Sequence, residues 1–462
     1  MILVKSKTQP LSIWYDDRTY AGYHSLPEEH IVSFIELIGP SANRWEFFDY
    51  RASYSVEHGR VLGLPLDNLR TLNILLSANI TYSTALRAPK LKSLDVHRCS
   101  LNWHSIASLH RLEIDQNTEG PDLAELVAVL RASPDLEWLC VSRNWPMTAT
   151  VHSDSLYPLP PIFLPKLQRM AFSKLPVDSL SILLDLIEAP NLHIFDHHMT
   201  YKWTSDDFPR IFGSAGRHIG AESPSSYRKS PIRLDIRSNG ETLRIRVGDR
   251  KIELRRFGWE EANGRQEREA SLRAALARFH PNLRSAIKTV TFKNTPWNDE
   301  VVGYLRLIHT QFPKVEELVL TGPDGVDVNV EPIVETISWE QKINNWNEIL
   351  FPCMTTLRLC ATQRCSMWCG SSILRLVEGR AHSARTESLK VVGLEGCRIP
   401  ADTAEGLKQL LQELRLSNTE VEDNIASEAD SSFPANSNEA INAETEVVTS
   451  LGVLSISGGR VE

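Results

Sequence analysis

The strongest constraint on this chain is a phrase that occurs three times between residues 91 and 144: LKSLDVHRC, LHRLEIDQN and LEWLCVSRN. Each puts apolar residues at its first, fourth and sixth places and closes on Cys or Asn at the ninth. These are Leu91, Leu94, Val96 and Cys99, then Leu109, Leu112, Ile114 and Asn117, then Leu136, Leu139, Val141 and Asn144. On a short strand the fourth and sixth side chains point into one core, while the third, fifth and seventh point the other way. At the ninth place the chain turns off the strand, and a small polar side chain there bonds the neighbouring turn's backbone.

A recurring phrase of this form is the leucine-rich-repeat pattern. It extends in both directions. LRTLNILLS supplies Leu69, Leu72 and Ile74, and the first-place residues then fall at Leu91, Leu109, Leu136, Leu167 and Leu192. Spacers of changing length account for the uneven period. Residues 122–133 (DLAELVAVLRAS) are amphipathic, with Leu123, Leu126, Val127 and Leu130 on one side, and residues 177–189 form a second helix stopped by Pro190. Upstream, 11–15 reads as a strand, 27–38 as a helix and 44–50 as a strand. Short strands alternating with helices predict an α/β leucine-rich-repeat solenoid, curved, with parallel strands inside and helices outside.

Past Leu192 the register deteriorates, because NLHIFDHHM places His197 where an apolar residue belongs. Three alternating segments follow: Ile232, Leu234 and Ile236; Leu243, Ile245 and Val247; Ile252, Leu254 and Phe257. Asn239-Gly240 and Gly248-Asp249 separate them with hairpin-turn chemistry, which predicts an antiparallel β-meander inserted into the array. Repeats resume with Ile287, Val290 and Phe292; Val315, Leu318 and Leu320; Met354, Leu357 and Leu359; Leu389, Val392, Leu394 and Cys397. Helices are expected around 268–279, 299–311, 371–379 and 401–414. The organisation is thus a repeat half over 1–225, a meander over 226–262, a second repeat half over 263–416 and an acidic, disordered tail over 417–462.

That tail carries the charge balance. Residues 417–450 hold eight acidic groups and no Lys or Arg, which equals the formal net charge of −8, so the repeat body is near neutral and offers no global attraction to nucleic acid or membrane. The opening MILVKSKTQP is too short in apolar residues for a secretory leader, and no run approaches a membrane span. Two of the seven cysteines occupy ninth repeat places, so all seven are read as reduced thiols of a cytoplasmic or nuclear protein.

The informative side chains are those pointing out of the strands, which a solenoid presents as one continuous surface. The densest polar and aromatic set is Asp95, His97, Arg111, Glu113, Asp115 and Trp138, taken as the partner-binding group. Other outward positions include Thr71, Asn73, Ser93, Ser142, Arg169, Ser173, Thr289, Thr291, Lys293, Glu317, Arg358 and Glu395. Mixed charge with one large aromatic suits protein recognition. A nucleic-acid alternative rests on the meander, where 228–256 holds ten basic and four acidic residues, with Arg244, Arg246, Arg255 and Arg256 as its contacts. It lacks the aromatic stacking pattern of RNA-binding sheets. Cys353, Cys360, Cys365 and Cys369 have no paired zinc-knuckle spacing. His197 and His198 are strand neighbours facing opposite ways, so they do not share an ion. No cofactor, metal or catalytic group is assigned, and no membrane partner is expected.

With the repeats placed, the chain resembles the fungal F-box and leucine-rich-repeat family. The resemblance rests on PLSIWYD, the Arg-Trp of SANRWEFFDY, APKLKSLDVHRCSLNW and PDLAELVAVLRASPDLEWLCVS, and spans residues 9–200 well and 285–400 loosely. It implies a non-enzymatic substrate-recognition subunit of a cullin-RING ubiquitin ligase, whose F-box holds a Skp1-type adaptor. LPEEHIVSFIELI at 26–38 has the flavour of that motif's first helix, yet it lies between two repeat-like strands without the helices that follow in an F-box. It is read as a spacer helix. The chain is then either a piece of a longer product or a recognition array working without a ligase.

Overall fold

The computed structural model describes residues 9–422 apart from 17–27, 53–60, 82–84, 117–120, 144–159, 200–205, 220–231, 239–241, 257–263, 294–298, 323–327, 339, 344–345, 362–366 and 384. They belong to one unit that ends at Asp423. The acidic residues beyond it, the Asn239-Gly240 turn, Cys365, and the ninth-place Asn117 and Asn144 lie outside the described residues.

Each repeat phrase contributes one strand to a single sheet. In chain order the strands are β1 (Leu11–Asp16), β2 (Trp45–Ala52), β3 (Thr71–Thr81), β4 (Ser93–Ser100), β5 (Arg111–Gln116), β6 (Trp138–Arg143), β7 (Arg169–Ser173) and β8 (Ile194–Met199). The meander follows as β9 (Ile232–Ser238), β10 (Thr242–Val247) and β11 (Arg250–Arg256), and then come β12 (Ile287–Lys293), β13 (Glu317–Thr321), β14 (Thr356–Cys360), β15 (Val391–Glu395) and β16 (Glu413–Ser417). Order across the sheet follows the chain except at the meander, which enters reversed: β8, β11, β10, β9, β12. Among the described strands of this sheet, only β10 runs antiparallel to its neighbours. Parallel strands need crossovers, which here include α1 (Glu28–Ile38), α2 (Leu123–Arg131), α3 (Val177–Leu186), α4 (Asp207–Ile219), α5 (Gly264–Ala277), α6 (Pro281–Ala286), α7 (Asp299–Gln311), α8 (Glu331–Ser338), α9 (Ser372–His382) and α10 (Ala401–Leu410). This is the leucine-rich-repeat solenoid that the spacing predicts, established by the chain's own strand order and register. No helix among the described residues is long and apolar enough to cross a membrane.

Register explains the core. The fourth-place side chains line up as Leu94, Leu112, Leu139, Met170 and Phe195 across five paired strands, and all are fully buried. The sixth-place row runs Val96, Ile114, Val141, Phe172 and His197. The apparent decay of the pattern at residue 197 is therefore one polar side chain in an intact register. His197 is buried within the core row, and that burial pushes its pKa down to about 3, so the imidazole is neutral at physiological pH. His198 faces the opposite surface.

Local sequence sets several boundaries. Asp122 caps α2 by accepting from the Glu125 amide at 2.7 Å, while Glu125 accepts from the Asp122 amide at 2.9 Å, a full capping box. Helix α10 stops at Leu410 and not at the expected residue 414. Leu414 and Leu416 alternate with Glu413 and Arg415, and pairing with β15 draws them into β16. Helices α4 and α8 and the hairpin formed by Glu340–Ile343 and Trp346–Ile349 were absent from the sequence reading. Gly248 takes a φ of +61° at the first position of the two-residue turn between β10 and β11, which favours glycine. Buried Arg250 begins β11 and donates to the carbonyls of Pro190, at 3.1 Å, and His218, at 3.4 Å, tying the last meander strand to the approach to β8 and the end of α4.

Candidate functional site on the strand face

The side chains that alternate with the core rows form three parallel rows across β4 to β8 and β11. The first is Ser93, Arg111, Trp138, Arg169, Ile194 and Lys251; the second is Asp95, Glu113, Cys140, Ala171, Asp196 and Glu253; the third opens with His97, Asp115, Ser142, Ser173 and His198. The six predicted residues, Asp95, His97, Arg111, Glu113, Asp115 and Trp138, thus occupy three adjacent strands of one surface. Neighbouring parallel strands lie about 4.8 Å apart, so each row is a ladder of interacting groups.

His97 bridges two carboxylates. Its Nε2 lies 2.9 Å from Asp95 Oδ1 and its Nδ1 3.3 Å from Asp115 Oδ2. Burial favours the neutral ring, but hydrogen bonds to Asp115 and Asp95 and the charges of both carboxylates outweigh it and raise the pKa to about 9. His97 is therefore an imidazolium at neutral pH. Asp115 is held below the usual carboxylate range, first by its bond to His97. Donor atoms of Asp95, His97 and Glu113 all lie within 4.8 Å of one another, a spacing that suits a cation. That role is already filled internally, by His97 itself and by the Arg111 guanidinium, whose Nη2 lies 2.6 Å from Glu113.

Trp138 is sandwiched. The Arg111 guanidinium carbon sits 4.4 Å from the ring centroid and that of Arg169 sits 4.2 Å from it. These arginines stand on the strands either side, so each covers one ring face through a cation–π contact. Trp138 Nε1 and Arg169 Nε are shielded from solvent and have no hydrogen-bond acceptor among the described residues.

Arg169 also starts a chain of alternating charges. Its Nη2 lies 3.3 Å from Asp196; Lys251 bridges Asp196 at 2.9 Å and Glu253 at 3.0 Å; Arg244 closes on Glu253 at 2.7 Å. Glu253 is only 2 % exposed, which its two cationic partners make tolerable. Beside this network lies a depression of about 280 Å³, lined by Arg169, Asp196, Glu253 and His198 together with the small side chains of Cys140, Ala171 and Ser173. Burial raises the Cys140 thiol to about 12, leaving it protonated.

Sequence reasoning left Asp196, Lys251 and Glu253 out of the site and gave Arg169 no special weight. Aligning NLHIFDHHM with the repeat phrase despite His197 places Asp196 outward, but nothing local places Lys251 beside it. Among the meander arginines, Arg244 is neutralised by Glu253, and the Arg246 Nε donates to the Gly248 carbonyl at 2.9 Å. The side chains of Arg255 and Arg256 lie outside the described residues. In the second half, Arg358 pairs with Glu317 at 3.0 Å. Thr291, expected outward, is fully buried, and Arg233 Nε donates to its hydroxyl at 2.8 Å. Cys360 lies on the strand face, away from Cys369, which is buried against Cys397. The Cys369 thiol is held in its protonated form first by its bond to Cys397 and then by burial.

No family model matches the chain, and no curated protein matches it. Among solved structures it is similar to an internalin from Listeria monocytogenes, at 11% identity over 82% of this chain and 89% of that one, with a TM-score of 0.25.

Proposed function

We propose that the chain is a non-enzymatic protein-recognition scaffold that holds a partner on the strand face between β4 and β8. The observation that carries this reading is the clasped group around Trp138. Its aromatic ring, two guanidiniums, imidazolium and carboxylates are fixed against one another before any partner arrives, and preorganisation of this kind lowers the entropy lost on binding. Two cation–π contacts and four ion pairs on the five neighbouring strands β4 to β8 make a rigid, chemically varied surface. A nucleic-acid role for the meander draws no support from Arg244, whose charge is paired with the buried Glu253.

Within this reading the chain would act like the substrate-recognition part of an F-box subunit, in the cytoplasm or nucleus. The ligase link is the weaker half. Helix α1 buries Ile35 and Ile38 in the repeat core and connects two directly paired strands, which supports its use as a crossover. A Skp1-type adaptor would then need helices that the repeats do not supply. Affinity capture with mass spectrometry on the intact chain and on the double variant Trp138→Ala, Arg111→Ala tests both parts. The scaffold reading expects one set of proteins to be lost with the variant while its circular dichroism is unchanged. An identical set of captured proteins overturns it, and adaptor and cullin peptides in the eluate would establish the ligase connection.

A further inference from the structure

The sheet ends on two apolar edges. β1 and β16 are its outermost strands among the described residues. On β15 the fourth- and sixth-place side chains, Val392 and Leu394, are buried between neighbouring strands. On β16 the corresponding Leu414 is only partly buried and Leu416 is 38 % exposed. Ile13 and Tyr15, which hold those places on β1, are likewise only partly buried. Exposure of large apolar groups concentrates at the same two ends. Among the described residues it occurs at Trp14, which is 65 % exposed, and at Leu37, Leu410, Leu416 and Val421; away from the ends it occurs only at Phe163. A strand edge presents unpaired N–H and C=O groups, which proteins often guard with Lys or Pro. Neither LSIWYD nor ELRLS contains either residue, and a solenoid that stays single ordinarily ends in polar capping repeats.

The two edges are complementary in the register that the array already uses. Continuing that register from β16 into the β1 of another molecule, fourth place against fourth, sets Leu414 against Ile13, Leu416 against Tyr15 and Arg415 against Trp14. The Arg415 guanidinium is held in its plane by Glu413, with Nε at 2.6 Å and Nη2 at 3.0 Å from the carboxylate oxygens. Its flat face is left for an aromatic ring. The same combination stands inside the array, where Arg111 bonds Glu113 and covers Trp138 directly across on the next strand. Two copies of β16 fit each other less well. Antiparallel pairing that sets Leu414 against Leu416 also sets Arg415 against Arg415, and like charges directly opposite are destabilising.

We propose that a second copy of this chain docks head to tail, its β1 pairing in parallel with β16, so that the repeat sheet runs on from one molecule into the next. The contact joins two different surfaces, so each copy keeps a free end to which a further copy adds. It covers Trp14 and Leu416 together, the two exposed apolar side chains of the edge strands. The group around Trp138 lies on β4 to β8, away from both edges. The assembly is therefore independent of the recognition reading, and it would present that strand face several times over to a multivalent partner.

The test is sedimentation velocity of the intact chain over a series of rising concentrations, with Trp14→Lys and Leu416→Lys beside the wild type. Both side chains are exposed in the single molecule, so each variant should keep the wild-type circular dichroism. The wild type should pass from monomer through dimer to longer species as its concentration rises. Each variant alone should associate about tenfold or more weakly, since one sets a cation against Arg415 and the other puts a cation into an apolar row. An equimolar mixture of the two should recover association and stop at the dimer, because the intact last edge of Trp14→Lys meets the intact first edge of Leu416→Lys. A wild type that stays monomeric throughout overturns the proposal, and slow hydrogen exchange of the β16 amides in that monomer would assign the edge to another segment of the chain. Assembly unchanged by either substitution places the contact elsewhere and overturns it too. So does a mixture that stays monomeric, or one variant that still forms dimers at wild-type strength, which would mean that like ends pair.

Discussion

His97 offers a sharp physical prediction, because its charge state follows from two named contacts. In the unfolded chain it titrates near 6.5, while in the folded protein Asp115 and Asp95 raise it to about 9 in spite of burial. The folded state therefore binds the proton more tightly. The resulting stabilisation is fully present below pH 6.5, declines as the pH rises from 6.5 to 9, and is gone above 9. Each tenfold difference in proton affinity is worth about 1.4 kcal/mol, so a difference of this size in a dry site would amount to roughly 3 kcal/mol. The His97 side chain is 28% exposed, and solvent screening reduces the expected contribution to about 1–2 kcal/mol. The perturbation is His97→Gln, which keeps polarity and removes the titration. Urea unfolding of both proteins at pH 6, 7.5 and 9.5 isolates the effect, since the other titrating groups cancel in the difference. The wild type should exceed the variant by about 1–2 kcal/mol at pH 6, and the gap should shrink at pH 9.5. NMR titration of the imidazole gives the pKa directly. A pKa at or below 6.5, or a gap that widens with pH, would refute the clasp.

Three further outcomes follow from other buried groups. His197 and His218 are buried neutral, with pKa values lowered by burial to about 3 and about 4; stability should therefore fall as the pH drops from 6.5 towards 4, at up to about 1.4 kcal/mol per pH unit for each histidine. Replacing His197 with Phe should flatten that acid limb in a urea midpoint series. Arg380 is buried and donates to the carbonyls of Phe351 at 2.8 Å and Met354 at 3.1 Å, among others. Arg380→Met should destabilise the second half by about 3 kcal/mol, because buried acceptors lose a charged donor, and hydrogen exchange should rise first around residues 350–360. A Cβ on Gly216 would lie 2.8 Å from the Cα of Ala275. Gly216→Ala should thus force α4 and α5 apart and cost about 1–3 kcal/mol by thermal unfolding, although alanine favours a helix; an unchanged or raised Tm would refute that contact.

Much of the site was legible in the residues. Asp95, His97, Arg111, Glu113, Asp115 and Trp138 were placed on one face by counting from the leucines, since alternation along a strand is a local property. What the count could not reveal is which groups are already satisfied. The sandwich of Trp138 between Arg111 and Arg169 depends on in-register packing of three strands whose spacers differ in length. It packs a guanidinium against the tryptophan ring from the strand on either side.

The chain's sequence determined the repeat, the strand faces and the existence of a meander, because each is encoded within a few residues by side-chain period and turn chemistry. Only the tertiary structure decided how the meander enters the sheet. The first and last strands of a three-stranded antiparallel unit point the same way, so either can pair in parallel with β8, and periodicity cannot choose between them. Contacts distant in sequence, such as Arg250 with the carbonyls of Pro190 and His218, accompany the choice of β11. That choice brings Lys251 and Glu253 beside Asp196 and completes the charge network on the strand face.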